Sequence, residues 1–322
     1  MYIFSTEDID FGSKTVKGLY FNPKMINESD AWKEGIFPLS NAIYRRVGLS
    51  TKEMSKLRQF TNNGLFNSRY FDKLEFWNLV HDKNLVNEHV PKTKFISSLN
   101  EVEDMFLEFN SLYLKPTDDS MAGGLIKVEK IKDCYYTKKP FDDNSAIFKS
   151  KDELNKFIQD IISTRKYLVQ QSIKSLQIDN RPADFRVIMQ KDNTLKWRCT
   201  GIICRIGKEN GICSNFRSYG YAVTFEELFE KLKLLNQKEI FKKRQELVNV
   251  CMKFCKILDS TDDNYGDLGI DAIIDEDLKI WIIEINKRQD HRIPLSIKDE
   301  QMYLATKNTP IKYAVGLSGF EL

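Results

Sequence analysis

Hydrophobic positions alternate along the chain between helical and strand spacing, which predicts a mixed α/β protein. The helical pattern predicts helices over 70–92, 98–109, 151–163 and 224–258. Short apolar runs predict strands over 112–115, 125–129, 166–173, 185–190 and 196–206. Ser98 and Thr224 each precede a glutamate by three residues, a spacing that is typical of a capping box at the start of a helix. The tail after Pro294 has no clear pattern.

Two isoleucine-rich runs, 268–274 and 280–286, flank a short polar stretch and predict a β-hairpin. With an even loop such as 275–278, Asp271 lies opposite Ile282. Asp271, Glu284 and Asn286 then share one face, because side chains alternate along a strand. Two neighbouring carboxylates repel each other unless a cation neutralises them, and hard oxygen ligands suit Mg²⁺. The alternative is an exposed sheet face that carries ordinary polar residues.

A second predicted hairpin, 185–190 with 196–206, places two arginines on one face. With an even loop at 191–194, Arg186 lies opposite Cys199, and Arg205 points the same way as Arg186. Planar guanidinium groups bind phosphate oxygens in pairs, so this face is a candidate phosphate site. The alternative is a solvated face with a structural pair between Asp184 and Arg186.

The loop 117–124 and the strand before it add a weaker signal. Ser120, Gly123 and Gly124 would let backbone amides approach an anion closely, although the loop matches neither the P-loop nor the dinucleotide-binding pattern. Lys115 ends a strand directly before a proline, where an inward lysine requires an anionic partner. A tight turn and a surface lysine are the simpler readings of these two features.

Bulk properties exclude several classes of protein. The chain has 322 residues with 42% hydrophobic and 30% charged residues, which is ordinary for a globular protein of two or three domains. A net charge of +3 gives no case for a dedicated nucleic-acid or membrane binder. Six cysteines form no CxxC pair and the N-terminus lacks a signal-peptide layout, so we expect a reducing, cytoplasmic location. Three widely spaced histidines make a zinc site unlikely.

Several segments, in order over about 65–290, resemble the ATP-grasp superfamily and most closely its YheC/YheD branch. They are Phe71-Asp-Lys73, Leu112-Tyr-Leu-Lys-Pro116 with its loop, Tyr167-Leu-Val-Gln-Gln-Ser-Ile173, Pro182-Ala-Asp-Phe-Arg-Val187, Trp197 to Arg205, Ser214-Asn215, Gly269-Ile-Asp271 and Trp281-Ile-Ile-Glu-Ile-Asn286. No single segment is decisive, but the ordered set is specific.

The resemblance implies roles for individual residues. Lys73 and Lys115 would hold ATP phosphates under a lid that contains Ser120, Gly123 and Gly124, and Gln170, Gln171 and Ile173 would contact adenine and ribose. Arg186 and Arg205, with Asn215, would act at the γ-phosphate and the acyl-phosphate. Asp271, Glu284 and Asn286 would bind two Mg²⁺ ions, for which Mn²⁺ could substitute.

The fold implied is an α+β ATP-grasp fold in which ATP lies between antiparallel sheets. We expect a small N-terminal α/β domain over 1–70, a central lid subdomain over 71–168 and a C-terminal subdomain over 169–322 that carries the Mg²⁺ site. The implied chemistry is attack of a carboxylate on the γ-phosphate, followed by capture of the acyl-phosphate by an amine. The substrates would be ATP, a carboxylate and an amine of amino-acid or peptide type, with no nucleic acid or membrane partner. Their identity and the oligomeric state stay open.

The chain departs from the family pattern after Asn215, where a second glycine is often found, and after Asn286, where a small residue or proline is common. Here Lys287, Arg288 and Arg292 follow Asn286. This basic segment suggests that the substrate carries an extra acidic group and that Lys287 and Arg292 contact it.

Two other functions remain open at this point. The fold also supports simple phosphotransfer, so a small-molecule kinase is one alternative, which product analysis would distinguish from a ligase. A non-catalytic ATP-binding protein of a coat or assembly is the other, and it would bind ATP without turnover. The presence of all the charged residues expected at the site favours the ligase.

Overall fold

The N-terminal segment forms a small antiparallel sheet followed by a β-α-β unit. The computed structural model describes residues 1–25, 31–119, 123–140, 142, 145–214 and 220–320. Strand β3 pairs with β1, β2 and β4, and β5 pairs in parallel with β6. The bounds are β1 Tyr2–Ile3, β2 Ile9–Asp10, β3 Thr15–Phe21, β4 Trp32–Pro38, β5 Ile43–Tyr44, α1 Thr51–Thr61 and β6 Leu65–Phe66.

A second sheet has the strand order β11-β10-β9-β8-β12-β7, and all of its pairs are antiparallel. Its elements are β7 Thr93–Phe95, α3 Asn100–Glu108, β8 Ser111–Pro116, β9 Ile126–Ile131, β10 Cys134–Lys138, β11 Ala146–Phe148, α4 Lys151–Thr164 and β12 Tyr167–Gln171. One face packs on α3 and α4, whose apolar residues join those of the strands in a single core. The helix α2 Lys73–Val80, which comes before this sheet, contributes Phe76 and Val80 to the core of the third sheet instead.

The third sheet, with the order β16-β15-β14-β17-β18, carries the two predicted hairpins side by side. Its elements are β13 Gln177–Ile178, β14 Arg181–Lys191, β15 Trp197–Ile206, β16 Tyr221–Thr224, α5 Phe225–Leu232, α6 Gln237–Asp259, β17 Asp267–Ile274, β18 Ile280–Asn286 and α7 Glu300–Leu317. The apolar residues of α5 and α6 cover one face and form the main core. The opposite face is therefore available for polar side chains. No helix in the described residues is long and apolar enough to cross a bilayer.

Several predicted element bounds were wrong. The helix predicted over 224–258 is two helices, because Lys233 adopts a left-handed conformation (φ 53°) at the end of α5 and Asn236 caps α6. The helix predicted over 70–92 ends at Val80. The unreadable tail forms α7, which has Pro310 within it.

The register of both hairpins also differs from the prediction, although the predicted sharing of faces is correct. Arg186 lies opposite Ile203 rather than Cys199, and Asp271 lies opposite Glu284 rather than Ile282. Each hairpin has a five-residue connection, 192–196 or 275–279, and one irregularity in its ladder. An odd loop alone would put Arg186 and Arg205, or Asp271 and Glu284, on opposite faces of the sheet. The one-residue bulge that follows, at Thr200 or Ile283, restores the alignment.

The cysteines of α6 serve packing. Cys251 and Cys255 are free thiols that are fully buried in the main core, and burial raises the pKa of both well above the usual range. We expect Cys251→Ala to lower the free energy of unfolding by about 1–2 kcal/mol through a small cavity. Urea denaturation of the variant and the parent measures this, and equal midpoints would contradict it.

Candidate functional site

The end of the hairpin β17–β18 gathers three oxygen-bearing side chains on the face opposite the core. Asp271 and Glu284 are direct cross-strand neighbours, and Asn286 Nδ2 donates a hydrogen bond of 3.1 Å to Asp271 Oδ2. The extra residue Ile283 is what brings Glu284 beside Asp271. Ile270, Ala272 and Ile282 point to the core side and are completely buried. The local sequence thus combines an apolar, buried strand face with a polar cluster on the opposite face.

Two arginines of the neighbouring hairpin hold Asp271. Arg186 forms a two-pronged pair with it, with Nε to Oδ1 at 2.5 Å and an Nη2 contact to Oδ2 at 3.0 Å, while Arg205 Nη2 lies 3.2 Å from Oδ1. Arg205 also grips Asp184 with two bonds of 2.6 Å. A Cβ at Gly269 would lie 3.0 Å from Arg186 Cδ, so glycine gives this arginine room to cross the strand.

These contacts shift the ionisation of the cluster. Burial alone would raise the pKa of Asp271, but Arg186 and Arg205 outweigh it and hold that pKa below its ordinary value. Burial likewise opposes the charge of Arg205, yet Asp184 and Asp271 raise its pKa above the usual range. Asp271 and Arg205 are therefore charged at neutral pH.

Two lysines lie near the acidic cluster, one from the second sheet and one from helix α2. Lys115, at the end of β8, donates to Gln170 Oε1 on the neighbouring strand β12, and Gln170 Nε2 donates to Thr93 at 2.8 Å. Burial lowers the pKa of Lys115 to about 8, although nearby Glu284 opposes the shift. Lys73, at the start of α2, donates to the carbonyl of Asp119 in the loop that follows β8. Lys115 thus approaches the acidic cluster from the second sheet, and Lys73 approaches it from the start of α2.

A cavity of about 270 Å³ lies between the two sheets and collects most of the predicted residues. Its wall includes these predicted residues: Lys73, Lys115, Gly123, Gln170, Gln171, Ile173, Arg186, Arg205, Asp271, Glu284 and Asn286. Gly124 is adjacent but does not line it, and its positive φ of 66° is a conformation suited to glycine. Ser120 and Asn215 lie outside the described residues.

The cavity has apolar walls that sequence reasoning missed. Tyr113, Ile212, Ile273 and Ile283 line it. Ile273 could have been found, since it alternates with Asp271 on the same strand face, whereas Ile283 faces the cavity only because of the bulge. The alternative interpretation, in which Asp184 pairs with Arg186, is wrong, because Asp184 pairs with Arg205 across the hairpin. A polar rim around flat apolar surfaces is typical of a small-molecule site.

The donor set fits a hard divalent cation. Within the described residues, no group of three or more His, Cys, Asp and Glu side chains is arranged to hold a metal, so a metal here would depend on two carboxylates and an amide. In that part of the chain Glu284 forms no hydrogen bond or ion pair, although it lines the cavity beside Asn286. Because Asn286 Nδ2 is used on Asp271, its Oδ1 is left as an acceptor. Oxygen donors of this kind suit Mg²⁺ or Mn²⁺.

The basic segment after Asn286 is divided between two places. Lys287 and Arg288 line a second cavity, which also contains Lys73, Glu284 and Asn286. Arg292 does not line it: this side chain is exposed and pairs with Asp290 at 2.8 Å. The structure thus places Lys287 and Arg288 at this cavity and Arg292 outside it, so the predicted substrate contact of Arg292 has no support from this cavity.

Comparison with known proteins supports a family assignment. The family model described as YheC/D like ATP-grasp matches residues 62–317. Endospore coat-associated protein YheD of Bacillus subtilis (strain 168) is 23% identical over 98% of this chain and 70% of its own length. Endospore coat-associated protein YheC of the same organism is 22% identical over 92% of this chain and 83% of its own length.

Two solved structures are distantly similar. One is the ADP complex of PurK, N5-carboxyaminoimidazole ribonucleotide synthetase, at 10% identity and a TM-score of 0.45, where the similarity covers 74% of this chain and about half (51%) of that one. The other is the C-terminal domain of K. lactis Pby1, described as an ATP-grasp enzyme, at 13% identity and a TM-score of 0.48. The similarity covers 85% of this chain and 81% of that one. The family match extends over most of the chain and includes both hairpins and the lysine strand. The chain belongs to the YheC/D-like ATP-grasp family and has the α+β ATP-grasp fold.

Proposed function

We propose that this protein is an ATP-dependent ligase that activates a carboxylate as an acyl-phosphate and couples it to an amine. The observation that carries the proposal is the cavity between the two sheets. Lys115 enters it from the second sheet and Lys73 from the start of α2, and arginines with an acidic cluster enter it from the third sheet. Phosphoryl transfer asks a protein chiefly to align the reactants and to balance charge, which is what such a set of side chains can do.

In this proposal ATP lies along the cavity. The apolar surfaces of Ile212 and Ile273 contact adenine, with Gln171 and Ile173 at its edge. Lys73 and Lys115 bind phosphate oxygens, and Lys115 is aligned for this by Gln170. Gly123 and Gly124, with Ser120 of the same loop, cover the phosphates.

Asp271, Glu284 and Asn286 would hold Mg²⁺, which would supply positive charge to balance the negative charge of the phosphates. Arg186 and Arg205 lie next to this cluster and stabilise charge on the transferring phosphoryl group, with Asn215 as a further contact. Since each arginine is already fixed by a carboxylate, little reorganisation is needed when the substrate binds.

The reaction balances without a protein nucleophile. An oxygen of the substrate carboxylate attacks the γ-phosphorus, the bond to the bridging oxygen breaks, and ADP leaves. The amine then attacks the acyl carbon and loses a proton, and inorganic phosphate leaves with one oxygen of the original carboxylate. The role of the side chains is to bind, to orient and to neutralise charge.

One alternative has a specific observation behind it. Both curated relatives are described as coat-associated proteins, which fits an ATP-binding protein with an assembly role and no turnover. The retained set of charged residues around the cavity favours catalysis, because binding alone does not require so many aligned charges.

An ADP-release screen tests the proposal. Purified protein with ATP and Mg²⁺ is assayed against amino acids, dipeptides and short peptides, with mass spectrometry of any product. A ligase gives ADP, inorganic phosphate and a condensed product. A phosphorylated final product would indicate a kinase, and ATP binding without ADP release would indicate the non-catalytic alternative.

We expect Lys115→Met to weaken ATP binding by about tenfold or more, because a charge-assisted contact with phosphate is lost. Calorimetric titration with a non-hydrolysable ATP analogue measures it. Lys94→Met is the matched control, since Lys94 is on β7 at the edge of the same sheet and pairs with Asp104 at 2.9 Å. If the Lys115 variant and the control bound the ATP analogue with equal affinity, the assignment of Lys115 to the phosphate site would be contradicted.

We further propose the division into an N-terminal domain over 1–70, a lid subdomain over 71–168 and a C-terminal subdomain over 169–322, in a cytoplasmic protein. The boundary at 168 falls within β12, which pairs with β7 and β8 of the second sheet. A hinge directly after Gln171 would keep that sheet intact, and limited proteolysis with and without ATP would locate it.

A further inference from the structure

The second cavity adjoins the proposed nucleotide site. It has a volume of about 490 Å³ and shares Lys73, Glu284 and Asn286 with the first cavity. Its remaining wall comes from segments before α2, from the loop after β8 and from the end of β18. A molecule in this space would meet the acidic cluster through Glu284 and Asn286. A volume of this size accepts a small organic molecule.

The acidic residues around this cavity are largely occupied. Arg165 donates to Asp118 at 2.6 Å and to Asp119 at 2.9 Å, so one guanidinium serves both carboxylates. Asp72 caps α2 by accepting from the backbone of Glu75 at 2.8 Å. Glu284 faces the proposed metal. Asp118 and Asp119 are therefore paired with a cation, while Asp72 and Glu284 form no ion pair in the described residues.

Lys287 and Arg288, two cations of this wall, form no ion pair within the described residues. Lys287 donates to the carbonyl of Phe71 and lies 4.0 Å from the centre of its ring. Arg288 forms no hydrogen bond or ion pair within the described parts of the chain. Neither cation is therefore engaged in an ion pair within the described residues. Lys287 is held in place by a carbonyl and an aromatic ring, while Glu284, Glu75 and Asp72 favour its charged form.

We propose that this cavity binds the carboxylate substrate, and that this substrate carries a second anionic group that Lys287 and Arg288 recognise. The inference rests on the proposed ligase function and narrows its substrate class to acidic amino acids and peptides with an acidic side chain. One carboxylate reaches the acidic cluster and the phosphoryl group, while the other pairs with the two cations. Binding a dianion in this way makes its orientation unique, because only one end meets the metal cluster.

Matched substrates and variants test the inference. ADP release is measured for pairs that match in size but differ by one negative charge, L-glutamate with L-glutamine and L-aspartate with L-asparagine, both free and as the N-terminal residue of alanine dipeptides. The variants are Lys287→Ala, Arg288→Ala and the conservative Arg288→Lys. Arg292→Ala is the control, since this neighbouring arginine is exposed and paired with Asp290. Thermal unfolding of each variant checks the fold.

We expect turnover with the acidic members, and a rise of about tenfold or more in their KM for Lys287→Ala and Arg288→Ala. The KM for ATP should stay within about twofold, Arg288→Lys should restore part of the loss, and Arg292→Ala should match the parent. Equal turnover of acidic and neutral members, or a rise in the KM for ATP alone, would overturn the inference and leave the ligase function standing. ATP binding without ADP release for any carboxylate would contradict both.

Discussion

Replacing Glu284 with glutamine is expected to lower the rate of ADP formation by about 10²–10³-fold while the fold survives. The change preserves size but removes a negative charge from the proposed metal site. Glu284 has no hydrogen bond or ion pair in the described chain, so the variant loses only the longer-range attraction between Glu284 and the charges of Lys115 and Lys287. Steady-state assays of ADP release, with thermal unfolding of the same sample, separate activity from stability.

Glu276→Gln is a suitable control, since Glu276 is in the loop of the same hairpin and pairs on the surface with Lys174 at 2.8 Å. It should behave like the parent. Asp271→Asn is less clean, because Asp271 also fixes Arg186 and Arg205 and its loss would leave two buried guanidinium groups uncompensated. A Glu284 variant with parental turnover would refute the assignment of the acidic cluster.

Asp267→Asn is expected to give the largest loss of stability, about 3 kcal/mol. Asp267 is fully buried at the start of β17, and its Oδ1 accepts from Gln190 at 2.7 Å and from Gln289 at 2.6 Å. Its Oδ2 accepts from Tyr44 and, at 2.7 Å, from His291. An amide nitrogen in place of either oxygen would face two donors and leave both unsatisfied.

This buried network also joins the N-terminal segment to the third sheet. Tyr44 belongs to β5, and Asn67, just after β6, donates to the carbonyl of Asp267 at 2.6 Å. Urea denaturation monitored by fluorescence and circular dichroism measures the effect. Asp277→Asn, in the exposed turn of the same hairpin, should change stability by less than about 0.5 kcal/mol. Equal midpoints for the two variants would show that the network contributes little.

Much of the site was predictable because strand alternation survives errors of register. The predicted pairing of Asp271 with Ile282 was wrong by two residues on the partner strand, which keeps Glu284 on the same face. The same holds for Arg186 and Arg205, whose hairpin shifts by four residues. The five-residue turns and the bulges could not be foreseen, since they depend on how each pair of strands twists within the sheet.

Long-range contacts were beyond the sequence. The segment after Asn286 carries the cations Lys287, Arg288 and Arg292. The first two line a cavity, while Arg292 pairs with Asp290. Nothing in the spacing of these residues separates them, because the direction of an irregular segment is set by tertiary packing. The buried Asp267 was hidden for the same reason: it stands at the start of an apolar run, and its partners are far away in sequence.

Transfer of isotopic oxygen tests the central claim most directly. The carboxylate substrate that supports turnover is labelled with ¹⁸O in both oxygens, and the inorganic phosphate released with the condensed product is analysed by mass spectrometry. Activation as an acyl-phosphate predicts one ¹⁸O atom in each phosphate formed. Phosphate without label, at equal product yield, would contradict the proposed chemistry.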